Sequence, residues 1–209
     1  MTRILIVDDH AIVRRGLRQI LQEQGMDSVD EAMNGREALD RVRKNGYDLV
    51  LLDISMPGNS GLDVLKQIKD ERPRLPVLML SMHPEEQYAL RALKAGAAGY
   101  LTKESAPEQL VTAVSKILQG GRYVSEMLAE HMASHLDRGG DRLPHEELSD
   151  REFQIMRMLA SGRTASEIGL ELSLSVKTVS TYRTRVLFKM GFKSNADITR
   201  YALQNKLLE

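Results

Sequence analysis

Apolar and polar positions follow two different rhythms along this chain, and the change between them falls near residue 121. Through residues 1–121, short β-branched runs such as Ile4-Leu5-Ile6-Val7, Leu49-Val50-Leu51-Leu52 and Val77-Leu78-Met79-Leu80 alternate with amphipathic stretches. Ile12, Val13, Leu17, Ile20 and Leu21 lie at helical spacing after the first run, and Leu110, Val111, Val114, Ile117 and Leu118 do so after the last. The pattern predicts strands at 3–8, 28–32, 48–53, 76–81 and 98–101, each followed by a helix. Such a repeat favours an α/β fold, a five-stranded, doubly wound parallel sheet with helices on both faces. Right-handed crossovers restrict the topology, and in the order 2-1-3-4-5 the switch point lies between strands 1 and 3, where ligands bind at the carboxyl ends.

After Gly120-Gly121 the rhythm stops. Residues 124–136 could form one helix, while Asp137-Arg138-Gly139-Gly140-Asp141 and Pro144 read as a flexible connection, so 122–143 is assigned as a partly helical linker. From Ser149 only helix signals remain, which predicts a small all-α domain over 144–209. Ser149 and Glu152 form a capping box before Phe153, Ile155, Met156 and Leu159, and Gly162 ends that helix. Further helices are expected at 164–172, 175–190 and 195–206, with Gly191 closing the longest. At about 100° per residue, Val176, Val179, Val186, Leu187 and Met190 share one arc, the expected core face. Lys177, Ser180, Thr181 and Thr184 fall on another, centred roughly a quarter turn away, and Arg183 lies nearer the core arc.

Composition narrows the class. With 209 residues, 42% hydrophobic and 28% charged, the chain suits two ordinary soluble domains. No apolar run reaches the roughly 18–20 residues that span a bilayer, and Met1-Thr2-Arg3 leads straight into a strand-like run, so a cytoplasmic location is expected. The absence of cysteine excludes disulfides, thiolate metal sites and cysteine redox chemistry. Net charge is zero, but residues 149–209 carry ten Lys/Arg against six Asp/Glu, leaving the front of the chain correspondingly acidic. That asymmetry suits a regulatory domain joined to one that meets an anionic partner.

Candidate chemistry gathers where the runs end. Asp8 and Asp9 follow the first, Asp53 ends the third, Ser81 closes the fourth and Lys103 lies just beyond Gly99-Tyr100-Leu101. Polar groups from four strands would converge on one sheet edge. Three carboxylates there repel one another unless a cation or a proton intervenes. Magnesium, which prefers oxygen ligands and keeps several waters, could be held by Asp8, Asp9, Asp53 and the backbone carbonyl of Ser55. Asp53 could then attack a phosphoryl group in line to give an acyl phosphate. Lys103 and the Ser81 hydroxyl could engage the phosphoryl oxygens, with Tyr100 swinging inward as Ser81 is drawn toward them. Each residue alone has an ordinary reading as a turn, cap or solvated charge, and only the joint pattern outweighs it. His10, at the start of a helix, is expected to be partly exposed rather than a metal ligand.

Val7-Asp8-Asp9-His10, Leu52-Asp53-Ile54-Ser55-Met56-Pro57-Gly58, Ser81-Met82, Ala95-Gly96-Ala97-Ala98-Gly99-Tyr100 and Lys103-Glu104 together resemble the flavodoxin-like receiver domain of bacterial two-component response regulators. The resemblance covers about 1–121. It implies that Asp53 accepts phosphate from a sensor histidine kinase, that Asp8 and Asp9 bind magnesium, and that Ser81, Tyr100 and Lys103 form a switch. It also implies that Ser55 and His83 occupy positions that tune the lifetime of the phosphate.

Further on, Leu148-Ser149-Asp150-Arg151-Glu152, Gly162-Arg163-Thr164-Ala165-Ser166-Glu167-Ile168, Ser175-Val176-Lys177-Thr178-Val179-Ser180-Thr181-Tyr182 and Lys189-Met190-Gly191 resemble the LuxR-type helix-turn-helix domain, over about 144–209. Tyr182 stands where many members have His, and Phe192-Lys193-Ser194 follows the glycine where an aliphatic residue is common. In such a layout the second helix reads the major groove. Lys177, Ser180, Thr181 and Thr184 are then expected at base edges or nearby phosphates, and Arg185, Lys189 and Lys193 on the DNA backbone.

The pairing resembles the NarL/FixJ class of response regulators. It implies a transcriptional regulator rather than an enzyme, one that assists its own phosphorylation and dephosphorylation. Phosphorylation would drive a homodimer onto two operator half-sites, paired through Ile198, Tyr201, Ala202 and Leu203, with RNA polymerase as a further partner. Two other classes compete. An aspartate-nucleophile phosphatase would usually place a second acid two residues after its nucleophile, where this chain has Ser55. A regulator working without phosphorylation would not need the complete acidic set.

Overall fold

The computed structural model describes residues 2–57, 60–105, 107–137, 143–205 and 207–208, with the side chains of 86, 131 and 134–137 left aside. Gly58 of the Asp53 motif and residues 138–142 of the expected connection lie outside the described residues. The chain divides into two compact units, residues 1–134 and 135–209.

In the first unit, strands β1 (Arg3–Val7), β2 (Ser28–Ala32), β3 (Leu49–Asp53), β4 (Val77–Ser81) and β5 (Gly99–Thr102) alternate with helices α1 (Ala11–Glu23), α2 (Gly35–Lys44), α3 (Gly61–Glu71), α4 (Glu85–Lys94) and α5 (Pro107–Leu118). All pairings are parallel, as the rhythm predicts, and the order β2-β1-β3-β4-β5 is the doubly wound one. Every residue of β3 and β4 is buried, so these strands read as apolar runs up to their polar last residues, Asp53 and Ser81. β2, on the edge, carries Asp30 and Glu31 half-buried. One face of the sheet packs Ile4, Ile6, Leu49, Leu51 and Leu78 against Leu21 of α1 and Leu110, Val114 and Ile117 of α5.

Beyond α5 the chain stays on this unit for a few residues. Tyr123 bridges to Gly99, its N–H donating to the Ala98 carbonyl at 2.9 Å. The Ser125 hydroxyl meets the Glu85 carboxylate and caps helix α6 (Glu126–Asp137) through the Leu128 N–H at 3.1 Å, while the Leu128 side chain is buried.

The second unit begins with a 3-10 turn at Pro144–Glu147 and continues through α7 (Asp150–Ala160), α8 (Ala165–Leu172), α9 (Val176–Met190) and α10 (Asn195–Gln204). The Ser149–Glu152 capping box forms, and two more start α8 (Thr164, Glu167) and α10 (Ser194, Asp197). Gly162 (φ 86°) follows α7 and Gly191 (φ 66°) caps α9, both left-handed as a helix terminus requires. α7 lies at the centre, in contact with α8, α9 and α10. Gly169 makes the α8–α9 corner possible, since a Cβ there would meet the Leu174 carbonyl oxygen at 2.7 Å. Among the described residues no helix is long and apolar enough to cross a membrane.

Two expectations need correction here. The core face of α9 is narrower than predicted: Val179, Val186 and Met190 are buried, Leu187 is half-buried, and Val176, in the first turn, is 49% exposed. Ile198 and Ala202, expected on a dimer surface, are buried inside their own unit on the side of α10 that packs against α7. Tyr201 is half-buried with its hydroxyl 2.8 Å from His145 Nδ1. Of the four residues only Leu203, 63% exposed, points outward. An apolar stripe says that a face is covered, not by what.

Candidate functional site

The carboxyl ends of β1, β3, β4 and β5 meet at one edge of the sheet, because parallel pairing brings all strand ends to the same side. Asp8 follows β1 and is fully buried, and its Oδ1 accepts the His10 N–H at 2.8 Å. Asp53 ends β3, also fully buried, and its Oδ1 accepts the Ser55 N–H at 3.2 Å, which keeps the Ser55 backbone beside the carboxylate. The Lys103 ammonium bridges the two acids, 2.6 Å from Asp8 Oδ2 and 2.9 Å from Asp53 Oδ2. The Lys103 N–H donates to the Ser81 carbonyl at 2.7 Å, so β4 anchors the residue that reaches back to β1 and β3.

Burial pushes the Asp53 carboxyl above the ordinary range; Lys103 opposes this and the Asp8 charge adds to it. Burial alone would lower Lys103, but Asp53 and Asp8 outweigh it and hold the ammonium above its usual value. Lys103 and the two acids are thus held in direct contact in a buried setting.

Asp8, Asp9, His10 and Asp53 present ligand atoms that all lie within 4.8 Å of one another. The buried Asp9 Oδ1 has no hydrogen bond, and the His10 Nδ1 lies 3.0 Å from it. Three carboxylates face one ammonium here, an excess of negative charge that a hard divalent cation fits. The His10 ring sits closer to this cluster than the sequence suggests, although it is exposed as expected.

Ser81 is fully buried at the end of β4, one residue past Leu80, which is in register with Asp53. Its Oγ accepts the His83 N–H at 2.9 Å, and the Tyr100 hydroxyl donates to the His83 carbonyl at 2.8 Å. Ser81 and Tyr100 are thus linked through one peptide segment. The Tyr100 ring is fully buried. His83 stacks on Tyr88 of α4 with ring centroids 5.2 Å apart.

Arg14 escaped the sequence reading. Its guanidinium donates to the Asp8 carbonyl at 2.8 Å and to Glu31 at 2.9 Å, tying α1 and β2 to the acidic turn. Its place one turn after His10 was the only available signal.

In the second unit, Lys177, Ser180, Thr181, Thr184 and Arg185 are exposed on α9, a helix without a single Asp or Glu, and Lys193 is exposed just beyond it. The Thr181 and Thr184 hydroxyls donate to the carbonyls of Lys177 and Ser180, bonds they can exchange for others. Arg185 lies over the Tyr182 ring at 5.8 Å. Lys189 is placed differently from the rest: its ammonium lies 2.6 Å from Glu152, the buried acid of the α7 capping box. Arg183 donates to the Asn195 Oδ1 at 2.6 Å and so belongs to the α9–α10 contact.

Comparison with known proteins agrees with both halves. Residues 4–115 match the response regulator receiver domain, and residues 146–202 match the bacterial regulatory proteins of the luxR family. The response regulator UvrY of Escherichia coli is 38% identical over 99% of this chain and 96% of its own length. The oxygen regulatory protein NreC of Staphylococcus aureus is 38% identical over 99% of both chains. Among solved structures, RcsB of Salmonella enterica, bound to a promoter in the presence of phosphomimetic BeF3-, matches with a TM-score of 0.65 at 28% identity, over 96% of this chain and 97% of that one. A LuxR-family response regulator from Aurantimonas matches with a TM-score of 0.59 at 35% identity, over 65% of this chain and 98% of that one. The chain belongs to the two-component response regulators of the NarL/FixJ class, DNA-binding transcriptional regulators in which a receiver domain precedes a LuxR-type helix-turn-helix domain.

Proposed function

We propose that residues 1–121 accept a phosphoryl group on Asp53 from a sensor histidine kinase, and that this drives residues 144–209 onto operator DNA as a homodimer. The observation that carries the first half is the Lys103 bridge between Asp8 and Asp53 at the sheet edge. Asp8, Asp9, Asp53 and the Ser55 carbonyl would hold Mg2+, which would supply charge neutralisation for phosphoryl oxygens. An Asp53 carboxylate oxygen forms a bond to phosphorus as the bond to the kinase histidine breaks, and the histidine leaves neutral on taking up a proton. Lys103 exchanges one carboxylate contact for a phosphoryl oxygen, and the Ser81 hydroxyl turns toward another. Because the His83 segment joins Ser81 to Tyr100, movement at Ser81 is felt at Tyr100 in β5.

For the second half, the acid-free, exposed stripe of α9 is the support. Lys177, Ser180, Thr181 and Thr184 meet base edges, while Arg185 and Lys193 position the duplex. Lys189 serves the DNA backbone only if it leaves Glu152. RcsB in its promoter complex is the precedent for operator binding, and RNA polymerase is a partner expected of a transcriptional regulator.

A small acyl phosphate donor with magnesium should label the wild type to near stoichiometry and leave Asp53→Asn unlabelled; full labelling of the variant would sink the assignment. Lys177→Ala and Thr181→Ala should weaken operator binding while labelling normally.

A further inference from the structure

Phe188 is 86% exposed in the last turn of α9, the most exposed large apolar side chain among the described residues. Its position on the helix is specific. At about 100° per residue it falls within about 20° of Lys177, between Thr181 and Thr184, while the buried Val179, Val186 and Met190 lie on the opposite side. It therefore stands on the stripe of Lys177, Ser180, Thr181 and Thr184 and continues it toward the C-terminal end. The helix around it carries Lys177 and Arg185 exposed and no acid, so the surface it belongs to is complementary to a polyanion. An aromatic ring in water, flanked by uncharged hydroxyls and cations, has one edge of the DNA groove to which it is matched: the thymine C5-methyl, the apolar group the major groove displays.

We infer that Phe188 is a specificity-determining residue that packs against a thymine methyl of the operator. The stripe from Lys177 to Phe188 extends about 16 Å along the helix axis, so α9 would lie along the groove, with the polar residues reading the near steps and Phe188 the far one. This inference rests on the DNA-reading role of α9 proposed above.

The test uses the full chain, treated with the acyl phosphate donor and magnesium, and a randomised duplex library from which bound sequences are selected. Affinities are then measured for the selected duplex, for the same duplex with each thymine replaced in turn by deoxyuridine, and for a random duplex. Phe188→Ala should bind the selected duplex about tenfold more weakly, while its affinity for random duplex and the salt dependence of that binding stay unchanged, since no charge is lost. One thymine should exist whose replacement costs the wild type about fourfold and costs Phe188→Ala nothing further. Unchanged affinity of Phe188→Ala, or no thymine coupled to it, overturns the inference. So does a loss of self-association by Phe188→Ala in sedimentation that accounts for its weaker binding, which would assign the ring to a second copy of the chain. If the wild type itself enriches no sequence, the DNA-reading role of α9 has failed, a result distinct from any of these.

Discussion

Behind Asp53 the backbone is closed by a single residue. Gly61 starts α3 with its N–H on the Ile54 carbonyl at 2.9 Å, and a Cβ there would lie 2.0 Å from the Asp53 carbonyl oxygen. No side chain can yield, because the obstacle is backbone. Gly61→Ala should therefore cost about 1–3 kcal/mol and slow labelling of Asp53, measured by urea unfolding and phosphodonor kinetics. Gly16→Ala is the control: in mid-α1 with open space around it, it should stabilise the fold by about 0.5–1 kcal/mol and leave labelling alone. Equal behaviour of the two variants would refute the close-approach account. Residues of this kind divide sharply in legibility. Asp8, Asp53, Ser81 and Lys103 could be found because each stands at or just beyond the end of an apolar run, and strand ends in a parallel sheet share an edge. Arg14 could not, because it works through a backbone carbonyl, and any residue offers one.

At the scale of the element, Lys189 shows how a correct periodicity yields an incomplete role. It lies on the exposed side of a basic helix, and within that helix it meets no acid. Its partner, Glu152, is supplied by α7, 37 residues earlier, and only the packing of α9 on α7 brings them together. Burial raises the Glu152 carboxyl, but the Lys189 ammonium and the Ser149 backbone and hydroxyl donors outweigh it, leaving it below its usual range. A depressed folded value means stability that is present above the ordinary carboxylate pKa and is lost as pH falls toward the folded one. Lys189→Met should thus lower the stability of the full chain at neutral pH by about 2 kcal/mol, less than for a fully buried pair because the ammonium is partly solvated. It should also flatten the loss of stability on acidification, as followed by thermal unfolding between pH 7 and pH 3. An unaltered acid limb would show the pair to be decorative. The same packing explains why α10 read as a dimer surface: Ile198 and Ala202 form an apolar stripe whose cover is α7, and a sequence holds no record of which element does the covering.

For the whole molecule, the two halves carry opposite charge, with ten Lys/Arg against six Asp/Glu from residue 149 onward and a net charge of zero overall. The acidic receiver half weakens any phosphate attraction the basic half can offer, so a single copy should bind duplex feebly and with a shallow dependence on salt. Pairing two copies on two half-sites doubles the phosphates neutralised. Each contributes about −0.9 to the slope of log affinity against log salt, so donor treatment of the wild type should roughly double that slope as well as raise affinity. Asp53→Asn should keep the shallow slope under the same treatment. Tighter binding with an unchanged slope would mean that phosphorylation frees the recognition helix without pairing copies, and the homodimer would fall while the phosphoacceptor and the reading helix stood. The α/β rhythm and the helix-turn-helix layout were legible because they depend on local periodicity, and the sheet order because right-handed crossovers leave few topologies. The coupling between the two halves leaves no such local mark in the sequence, and the salt slope measures it directly.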